Sequence, residues 1–422
     1  MITVAFVAPY SLDSTLRFVR AAARLEGVRL GLVSQESSDQ VVRALGKEDA
    51  SLVLAHVQVP DALDPVQLEA AMRKLAGKLG RPIERAISIL EPLQGPLATV
   101  RERMGIRGMD AQEALAFRDK AHMKELFRAN DLPCAAHCLA TSADEALAFC
   151  DRVLPLVVKP PAGAGAKDTF RVDERSQLES WLRAVPPSPR APLLLEEFVQ
   201  GREYSFDSVT IGGRHAFHSI SSYTPTPLEV MQTPWIQWTV LLPRSIDGPE
   251  FEAIRRAGPR ALEALGMVTG MSHMEWFRRA DGSIAISEVA ARPPGAQFTS
   301  LISYAHDRDF YSVWAEVAIF ERFRAPERQY ATGAAYLRGQ GRGSVKAVRG
   351  IEQASDELGD LVVEAKLPKV GTPKASSYEG EGYLILRHPD TEVVREGLER
   401  AVRLLRIELG HDVQRGHEHQ NA

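Results

Sequence analysis

Short apolar runs alternate with helical patterns over the first quarter of the sequence. The strand-like runs are residues 2–8, 28–33 and 52–57, and the helical runs are residues 16–25 and 66–79. Continuous apolar runs of this length are typical of strands that are covered on both faces. Because strands that alternate with helices favour a parallel sheet, residues 1–113 are predicted to form an N-terminal parallel α/β domain.

The pattern changes after this domain. Residues 114–130 have the apolar spacing of a long helix, whereas residues 154–320 consist mostly of strand and turn patterns. The last quarter of the chain has short strand-like runs with glycine-rich turns, followed by an amphipathic helical pattern over residues 391–409. We therefore predict a multidomain protein of mixed α/β and α+β class, with a central domain at 114–325 and a strand-rich C-terminal domain at 326–422 that ends in a helix.

One segment of the central domain predicts a hairpin that brings two carboxylates together. Two strand-like runs flank Asp281-Gly282, and such a dipeptide is the strongest short signal for a hairpin turn. If these two residues form the loop, Glu275 lies directly opposite Glu288, with Cβ atoms about 4.5–5.5 Å apart on one face of the sheet. A four-residue loop around the same dipeptide keeps this register.

Two facing carboxylates repel each other, so the sheet needs a compensating charge at this point. Divalent cations such as Mg²⁺ prefer oxygen ligands and bind one or two carboxylates together with substrate phosphates. Alternation places His273 and Arg292 on the same face, and an arginine can hold phosphate or carboxylate oxygens through paired hydrogen bonds. The competing interpretation is a hairpin whose glutamates face water. The apolar residues predicted on the same face argue against it: Met271, Phe277, Ile284 and Ile286.

A second segment combines a strand, a lysine and small residues. The apolar run that starts at Leu154 ends at Lys159, and Gly163 and Gly165 follow within a loop of small residues. A lysine at a strand end can hold a nucleotide phosphate as a point charge, and glycines allow backbone N–H groups to turn towards phosphate oxygens. The Walker A pattern is absent. Taken alone, the segment fits a plain surface hairpin equally well.

A third segment joins an apolar strand to acidic residues and a glycine turn. It reads Leu-Leu-Leu-Glu196-Glu197-Phe198-Val199-Gln-Gly-Arg-Glu203. Such a junction can present backbone groups and a carboxylate to a purine and its ribose, although a salt-bridged surface has a similar pattern.

Composition and charge narrow the class of protein. The chain has 422 residues, of which 45% are hydrophobic and 25% charged, with a formal net charge of -4. These values are typical of a soluble globular protein, and the mixing of both charge signs along the chain argues against a nucleic-acid surface. Cys134, Cys138 and Cys150 fit a reducing compartment better than a disulfide framework. Since no run reaches the ~18 apolar residues of a membrane helix, a cytoplasmic location without membrane partners is expected.

Taken in order, these segments resemble the ATP-grasp superfamily from about residue 114 onwards. The matching features are Arg118-Asp-Lys120 at the start of a helix with Met123-Lys124, Val-Val-Lys159-Pro with its loop, Leu-Glu196-Glu197-Phe-Val-x-Gly201-x-Glu203-Tyr, and His273-x-Glu275 with Glu288-x-x-x-Arg292. Each feature is weak alone, but their order and spacing are specific. The flanking domains are similar to those of the branch that includes biotin carboxylase, formate-dependent purine enzymes and L-amino-acid ligases.

The resemblance implies a role for each matched position. The implied ATP-binding residues are Lys120, Lys159, Gly163, Gly165, Glu196, Glu197, Phe198, Val199 and Glu203, with residues 196–199 as the adenine hinge and Glu203 at the ribose. Glu275 and Glu288 would bind Mg²⁺ or Mn²⁺ and share the catalytic role with Arg292, which would steady the transferred phosphate. Many members have an asparagine two residues after the second glutamate. This chain has Ala290 there, so the resemblance does not extend to that metal ligand.

The resemblance also implies an activity: an ATP-dependent carboxylate–amine ligase that forms an acyl phosphate and then an amide or dipeptide bond, releasing ADP and phosphate. A small carboxylate and an amine would be its partners, with a mobile lid around residues 150–197. The alternative within the fold is a carboxylase or formate-dependent transferase that acts on a nucleotide precursor. A more distant alternative is a non-catalytic nucleotide-binding regulatory protein, which need not retain paired metal carboxylates. A homodimer is compatible, because it is the commonest assembly of soluble enzymes.

Overall fold

The computed structural model describes residues 1–161, 169–233, 235–377 and 379–410. Its helices are α1 Asp13–Ala23, α2 Ser38–Leu45, α3 Lys47–Ser51, α4 Pro65–Leu79, α5 Gln94–Met104, α6 Ala111–Arg118, α7 Lys120–Ala129, α8 Ala143–Cys150, α9 Arg175–Ala184, α10 Pro227–Gln232, α11 Glu252–Ala264, α12 Phe298–His306, α13 Phe310–Phe320, α14 Ile351–Leu358 and α15 Thr391–Leu404. Its strands are β1 Ile2–Val7, β2 Val28–Ser34, β3 Val53–Gln58, β4 Arg85–Ile87, β5 His137–Ala140, β6 Leu156–Lys159, β7 Phe170–Val172, β8 Leu193–Glu197, β9 Arg202–Ile211, β10 Arg214–Thr224, β11 Trp238–Leu242, β12 Gly270–Arg278, β13 Ile284–Ala290, β14 Ala331–Leu337, β15 Ser344–Arg349, β16 Val362–Lys366, β17 Gly382–His388 and β18 Arg406–Gly410.

The chain divides into two compact units. The first consists of Met1–Ser221 and Ser245–Glu327, and the second consists of Ser222–Arg244 and the chain from Arg328. The three-domain boundaries drawn from the sequence stay a prediction.

The first unit begins with a parallel sheet in the order β3-β2-β1-β4. The β1 residues Val4–Val7 have no exposed surface, since helices cover both faces of such a sheet. The predicted N-terminal parallel α/β arrangement is therefore confirmed. A short 3₁₀ turn, Glu91–Leu93, follows β4 and places Glu91 near the carboxyl end of that strand, which is where ligands bind in open parallel sheets.

In the same unit, neighbouring strands in the order β13-β12-β9-β10 carry the predicted hairpin. Alternation along β9 and β12 divides their side chains between two faces. One face is core: Tyr204, Phe206, Met274 and Trp276 pack in a cluster with α11 residues such as Ile254. The polar side chains of the same strands therefore lie on the other face.

The register of the hairpin confirms that Glu275 lies opposite Glu288. The loop, however, differs from both loop lengths that were predicted. The backbone N–H of Arg279 donates to the carbonyl of Ser283, so the loop has three residues, with Gly282 at φ 86°. A bulge at Ser287 then restores the predicted pairing, because Trp276 pairs with Ile286 and Glu275 with Glu288. The two deviations compensate each other.

The bulge also reverses the face predicted for two apolar residues. Ile284 and Ile286 were expected beside Glu275, but both pack in the core with Trp276 on the opposite face. One extra residue in a strand exchanges the faces of all residues beyond it. The placement of Trp276 in the core is confirmed by its complete burial.

The single helix predicted over residues 114–130 is wrong, because Asp119 interrupts it. Asp119 has an extended backbone, and its side chain accepts hydrogen bonds from the N–H groups of Ala121 and His122 at 2.9 and 3.0 Å. Aspartate is a strong N-cap because it satisfies donors that the first helical turn leaves unpaired. The break begins a new helix, α7, at Lys120.

The predicted lid region, residues 150–197, contributes β6, β7 and β8 to a separate sheet in the order β5-β8-β6-β7. Leu156, Val158 and Leu195 pack there against Phe149 of α8 and Leu178 of α9. Strand β6 ends at Lys159, as the apolar run indicated. Gly163 and Gly165 lie outside the described residues, and the movement of a lid stays a prediction.

The second unit is built on strands in the order β11-β14-β17-β16, with β15 and β18 as a separate pair. Helix α15 packs on this sheet through Val394, Leu398 and Ala401. The helix predicted over residues 391–409 is wrong at its end, because α15 stops at Leu404 and β18 follows. Ile407 of β18 is buried with Val345 of β15, so pairing with β15 outweighs helical spacing. Among the described helices, none has the length and apolar character needed to cross a bilayer.

We predict that Asp119→Ala destabilises the first unit by roughly 0.5–2 kcal/mol, because α7 loses its N-cap. The measurement is urea denaturation followed by circular dichroism. Asp119→Asn is the matched control, since asparagine caps helices about as well as aspartate and should stay close to the parent. An equal loss in both variants would show that the charge, and not the cap, matters.

Candidate active site

The polar face of β9, β12 and β13 gathers the predicted metal carboxylates. On this face Asp207 pairs in register with His273, and Ser205 with Glu275. His273 Nδ1 lies 2.6 Å from Asp207 Oδ1, and His273 Nε2 lies 3.6 Å from Glu275 Oε1. Burial alone would lower the pKa of His273, but Asp207 and Glu275 raise it to about 10. A charged imidazolium therefore stands between two carboxylates.

Glu288, the second predicted metal ligand, has a cation from another element. Lys120, at the start of α7, places its Nζ 2.9 Å from Glu288 Oε2. Burial would raise the pKa of Glu288, but the charges of Lys120 and Lys159 lower it to about 2. Burial alone would lower the pKa of Lys120, but the charge of Glu288 outweighs this effect, so the pKa of Lys120 is raised. Both groups are charged at neutral pH.

Glu203, the predicted ribose ligand, differs from these carboxylates. It lies on the same face of β9, opposite Phe277, and only 6% of its surface is exposed. Burial and the charges of Glu275 and Glu288 raise the pKa of Glu203 well above its usual range. A carboxyl group kept neutral in this way can donate one hydrogen bond as well as accept others.

Glu196 sits between two lysines. Lys159 Nζ lies 2.9 Å from Glu196 Oε2, and Lys124 Nζ lies 3.4 Å from Glu196 Oε1. Burial would raise the pKa of Glu196, but Lys124 and Lys159 together lower it. Lys159, which was predicted to bind a phosphate, therefore forms an ion pair with Glu196, the first residue of the predicted adenine hinge.

The remaining hinge residues have separate contacts. Glu197 accepts from Arg279 at 2.9 Å and from the N–H of Ala136 at 3.2 Å. The guanidinium of Arg171 lies 4.1 Å from the ring centre of Phe198, which is a cation–π distance. Val199 packs with an apolar group made of Ala135, Ala285 and Phe277. This apolar group lies beside Glu203, because Phe277 pairs with Glu203 between β12 and β9.

Arg292 is held by a residue of the N-terminal sheet. Its Nε and Nη2 donate to Glu91 Oε2 at 3.1 and 3.0 Å. Arg118, at the end of α6, donates to the other oxygen of Glu91 at 2.9 Å. The Glu91 side chain is 8% exposed, so one buried carboxylate fixes two arginines at the edge of the site.

Sequence reasoning missed Glu91, Lys124 and Asp207 as residues of the site. The sequence pattern could have pointed to Lys124, because this residue lies one helical turn after Lys120 on the same face of the helix. It could also have pointed to Asp207, because this residue alternates with Glu203 along β9. No local pattern points to Glu91, since 201 positions separate it from Arg292.

We predict that Glu91→Gln lowers stability by about 3 kcal/mol, because two partly buried arginines lose their anion. The measurement is chemical denaturation, together with the catalytic rate once a substrate pair is known. Glu321→Gln is the matched control, since Glu321 also accepts from two arginines, Arg85 and Arg107, at 22% exposure. The control should lose less stability. Equal losses would contradict a special role for Glu91.

Sequence comparison identifies a domain around these residues. Residues 125–304 match the family model of the ATP-grasp domain. The chain is also similar to an L-arginine-specific L-amino acid ligase from Bacillus subtilis, with 24% identity over 274 residues. This match covers 64% of the chain and 64% of the relative, so the chain spans less than two thirds of that protein's length.

Two solved structures have the same fold over nearly the whole chain. An L-amino acid ligase from Bacillus licheniformis superposes with a TM-score of 0.75 at 18% identity, covering 97% of this chain and 99% of that one. An N5-carboxyaminoimidazole ribonucleotide synthetase from Thermotoga maritima gives 0.71 at 17% identity, covering 97% and 100%. At these identities the likeness shows the fold alone. The predicted multidomain fold is confirmed, and residues 125–304 of the chain match the ATP-grasp domain.

Proposed function

We propose that this protein is an ATP-dependent ligase that joins a small carboxylate to an amine through an acyl phosphate. The observation that carries the proposal is the facing pair Glu275 and Glu288, with Lys120 2.9 Å from Glu288 and the charge of Lys159 acting on the same carboxylate. Anionic reactants need such cations, because a carboxylate must approach the γ-phosphate of ATP against charge repulsion. The similarity to an amino acid ligase supports the amide-forming version.

The residues present fit a magnesium ion that is completed by substrate oxygens. Glu275 and Glu288 are hard oxygen donors at opposing positions, and Mg²⁺ usually takes one or two carboxylates plus phosphates. Among the described residues, no group of three or more histidine, cysteine, aspartate or glutamate ligands is assembled, and Ala290 contributes no ligand. When bound, the metal would offset the charge of the phosphate oxygens.

The nucleotide would lie between the hinge and the carboxylates. The apolar group around Val199 and Phe277 suits an adenine ring, and the Glu203 carboxyl group suits the hydroxyl groups of a ribose. Lys159 would contact the phosphates while it stays paired with Glu196. Arg292, fixed by Glu91, would hold the transferred phosphate through planar hydrogen bonds.

The chemistry then follows in two steps. A carboxylate oxygen attacks the γ-phosphorus, the bond from this phosphorus to the β–γ bridging oxygen breaks, and ADP is released. The amine nitrogen next attacks the acyl carbon, the bond to the phosphate oxygen breaks, and the amine loses a proton. The products are an amide and inorganic phosphate. Lys120, Lys159 and Arg292 stabilise the charge of both phosphate groups without a covalent bond to the protein.

A cavity beside Arg292 suits a small substrate better than a large one. Its volume is about 260 Å³, and Ser88, Gln94 and Ala291 are among its lining residues. Arg101 also lines it, with a guanidinium that donates to the carbonyls of Ala86 and Met109. Burial lowers the pKa of Arg101 to about 10, which still leaves it charged. Glu113 and Glu321 also line the cavity, but the guanidinium groups of Arg101 and Arg292 offer cations to a carboxylate occupant.

The test of this proposal is a phosphate-release screen with ATP and Mg²⁺ over pairs of carboxylates and amines. We expect phosphate release that requires both partners and yields an amide detectable by mass spectrometry. Release with bicarbonate or formate alone, together with a nucleotide precursor, would favour the carboxylase or transferase alternative. Nucleotide binding without release across the whole panel would favour a regulatory protein.

For the same reaction, Glu288→Gln should nearly abolish turnover. The loss should exceed the roughly 10–100-fold decrease that follows removal of a metal's outer-shell partner, because Glu288 is proposed to bind the metal directly. It should also lose stability without metal, because the ion pair with Lys120 favours the folded state while Glu288 is charged. Steady-state phosphate release and thermal melting measure these effects. Glu125→Gln, on the exposed side of α7, is the control and should change neither. Near-parental turnover in Glu288→Gln would refute the metal site.

A further inference from the structure

The bulge at Ser287 determines which side chain faces Glu275. On either side of it, Trp276 pairs with Ile286 and Glu275 with Glu288, which leaves Ser287 without a register partner. If β13 continued without the bulge, Ser287 would stand opposite Glu275, and Glu288 would point into the core beside Met274. The facing carboxylates therefore depend on a local irregularity of the backbone.

Helix α7 contacts this irregularity from the side. Strand β13 is the last strand in its sheet order, so one side of it lacks a full set of ladder hydrogen bonds. Lys124 Nζ donates to the carbonyl of Ser287 at 2.8 Å, and the N–H of Val289 lies 3.3 Å from the sulfur of Met123. Lys120 contacts Glu288 between them. Positions 120, 123 and 124 form one face of a helix, and this face covers residues 287–289.

Lys124 is unusual among these contacts because its side chain has no exposed surface. A buried ammonium is costly unless it has partners. It has two, the Ser287 carbonyl at 2.8 Å and Glu196 at 3.4 Å. Glu196 already has a closer cation in Lys159, at 2.9 Å. Neutralising Glu196 therefore does not by itself account for a second buried lysine. The hydrogen bond from Lys124 to the carbonyl of the bulged residue gives it a separate role.

We propose that Lys124 is a positioning residue that holds the bulge at Ser287 and thereby keeps the metal carboxylate Glu288 opposite Glu275. The proposal rests on the proposed function. Lys124 is not among the residues proposed to contact ATP or metal. It acts through the backbone of Ser287, and the cap at Asp119 fixes the helix that carries it.

The experiment compares Lys124→Met, which keeps the apolar stem and removes the donor, with Lys124→Arg, which keeps a charged donor. Lys78→Met is the matched control, because Lys78 Nζ also donates to a strand carbonyl, that of His56, at 2.8 Å on an exposed surface. For each protein, the affinity for the non-hydrolysable analogue AMP-PNP is measured by calorimetry over a series of free Mg²⁺ concentrations. Thermal melting is recorded alongside.

We expect the Mg²⁺ concentration at half-effect to rise about 10–100-fold in Lys124→Met, the range found when outer-shell partners of a metal are removed. Lys124→Arg should recover part of this shift, and Lys78→Met should match the parent. If Lys124→Met is less stable but keeps the parental Mg²⁺ dependence, the proposal is wrong and Lys124 is only a core residue. If Lys124→Met does not fold, Lys124→Gln replaces it, because glutamine is shorter than lysine and carries no charge. An unchanged Mg²⁺ dependence in Lys124→Gln would then overturn the proposal.

The two proposals fail in different ways. A parent protein that binds AMP-PNP with no dependence on Mg²⁺ would refute the metal site and therefore the proposed function. A parent that shows this dependence, with Lys124 variants that leave it unchanged, would refute only the role of Lys124.

Discussion

Two carboxylates that face each other across a β-ladder impose the electrostatic requirement around which the site is built. Glu275 and Glu288 occupy opposing positions on a largely covered face, where like charges destabilise a sheet. Cations from different elements meet them: His273 from the same strand and Lys120 from the start of α7. The negative charge of this carboxylate pair is thus balanced within the protein by cationic side chains.

Pairing of a carboxylate with cations also occurs at two other places in the site. Glu196 lies between two lysines, and Glu91 lies between Arg118 and Arg292. Each cluster holds more positive than negative groups, so an incoming polyanion meets cations that are already oriented. Orientation before binding matters because it removes the reorganisation that a reaction in water would require. The fixed positions of these side chains, more than their number, suit phosphoryl transfer.

The arrangement also depends on backbone details that interrupt regular structure. A capped break at Asp119 starts the helix that carries Lys120, and a bulge at Ser287 turns Glu288 towards its partner. Bulges are frequent next to active sites because they redirect one side chain without altering the rest of a strand. In this protein the helix that follows the break covers the strand that contains the bulge. Two local irregularities therefore support one another.

The sequence by itself determined the parallel N-terminal sheet, the pairing of Glu275 with Glu288 and the resemblance to the ATP-grasp superfamily. These follow from local periodicity, turn residues and motif order, which act over a few residues at a time. It did not determine the three-residue loop, the bulge or the face of Ile286, because a one-residue change in register leaves the apolar pattern almost unchanged. The contacts of Glu91 with Arg292 and of Lys124 with Ser287 join segments 201 and 163 positions apart. Only the tertiary structure decided them, since such contacts depend on packing between elements and not on any pattern within one.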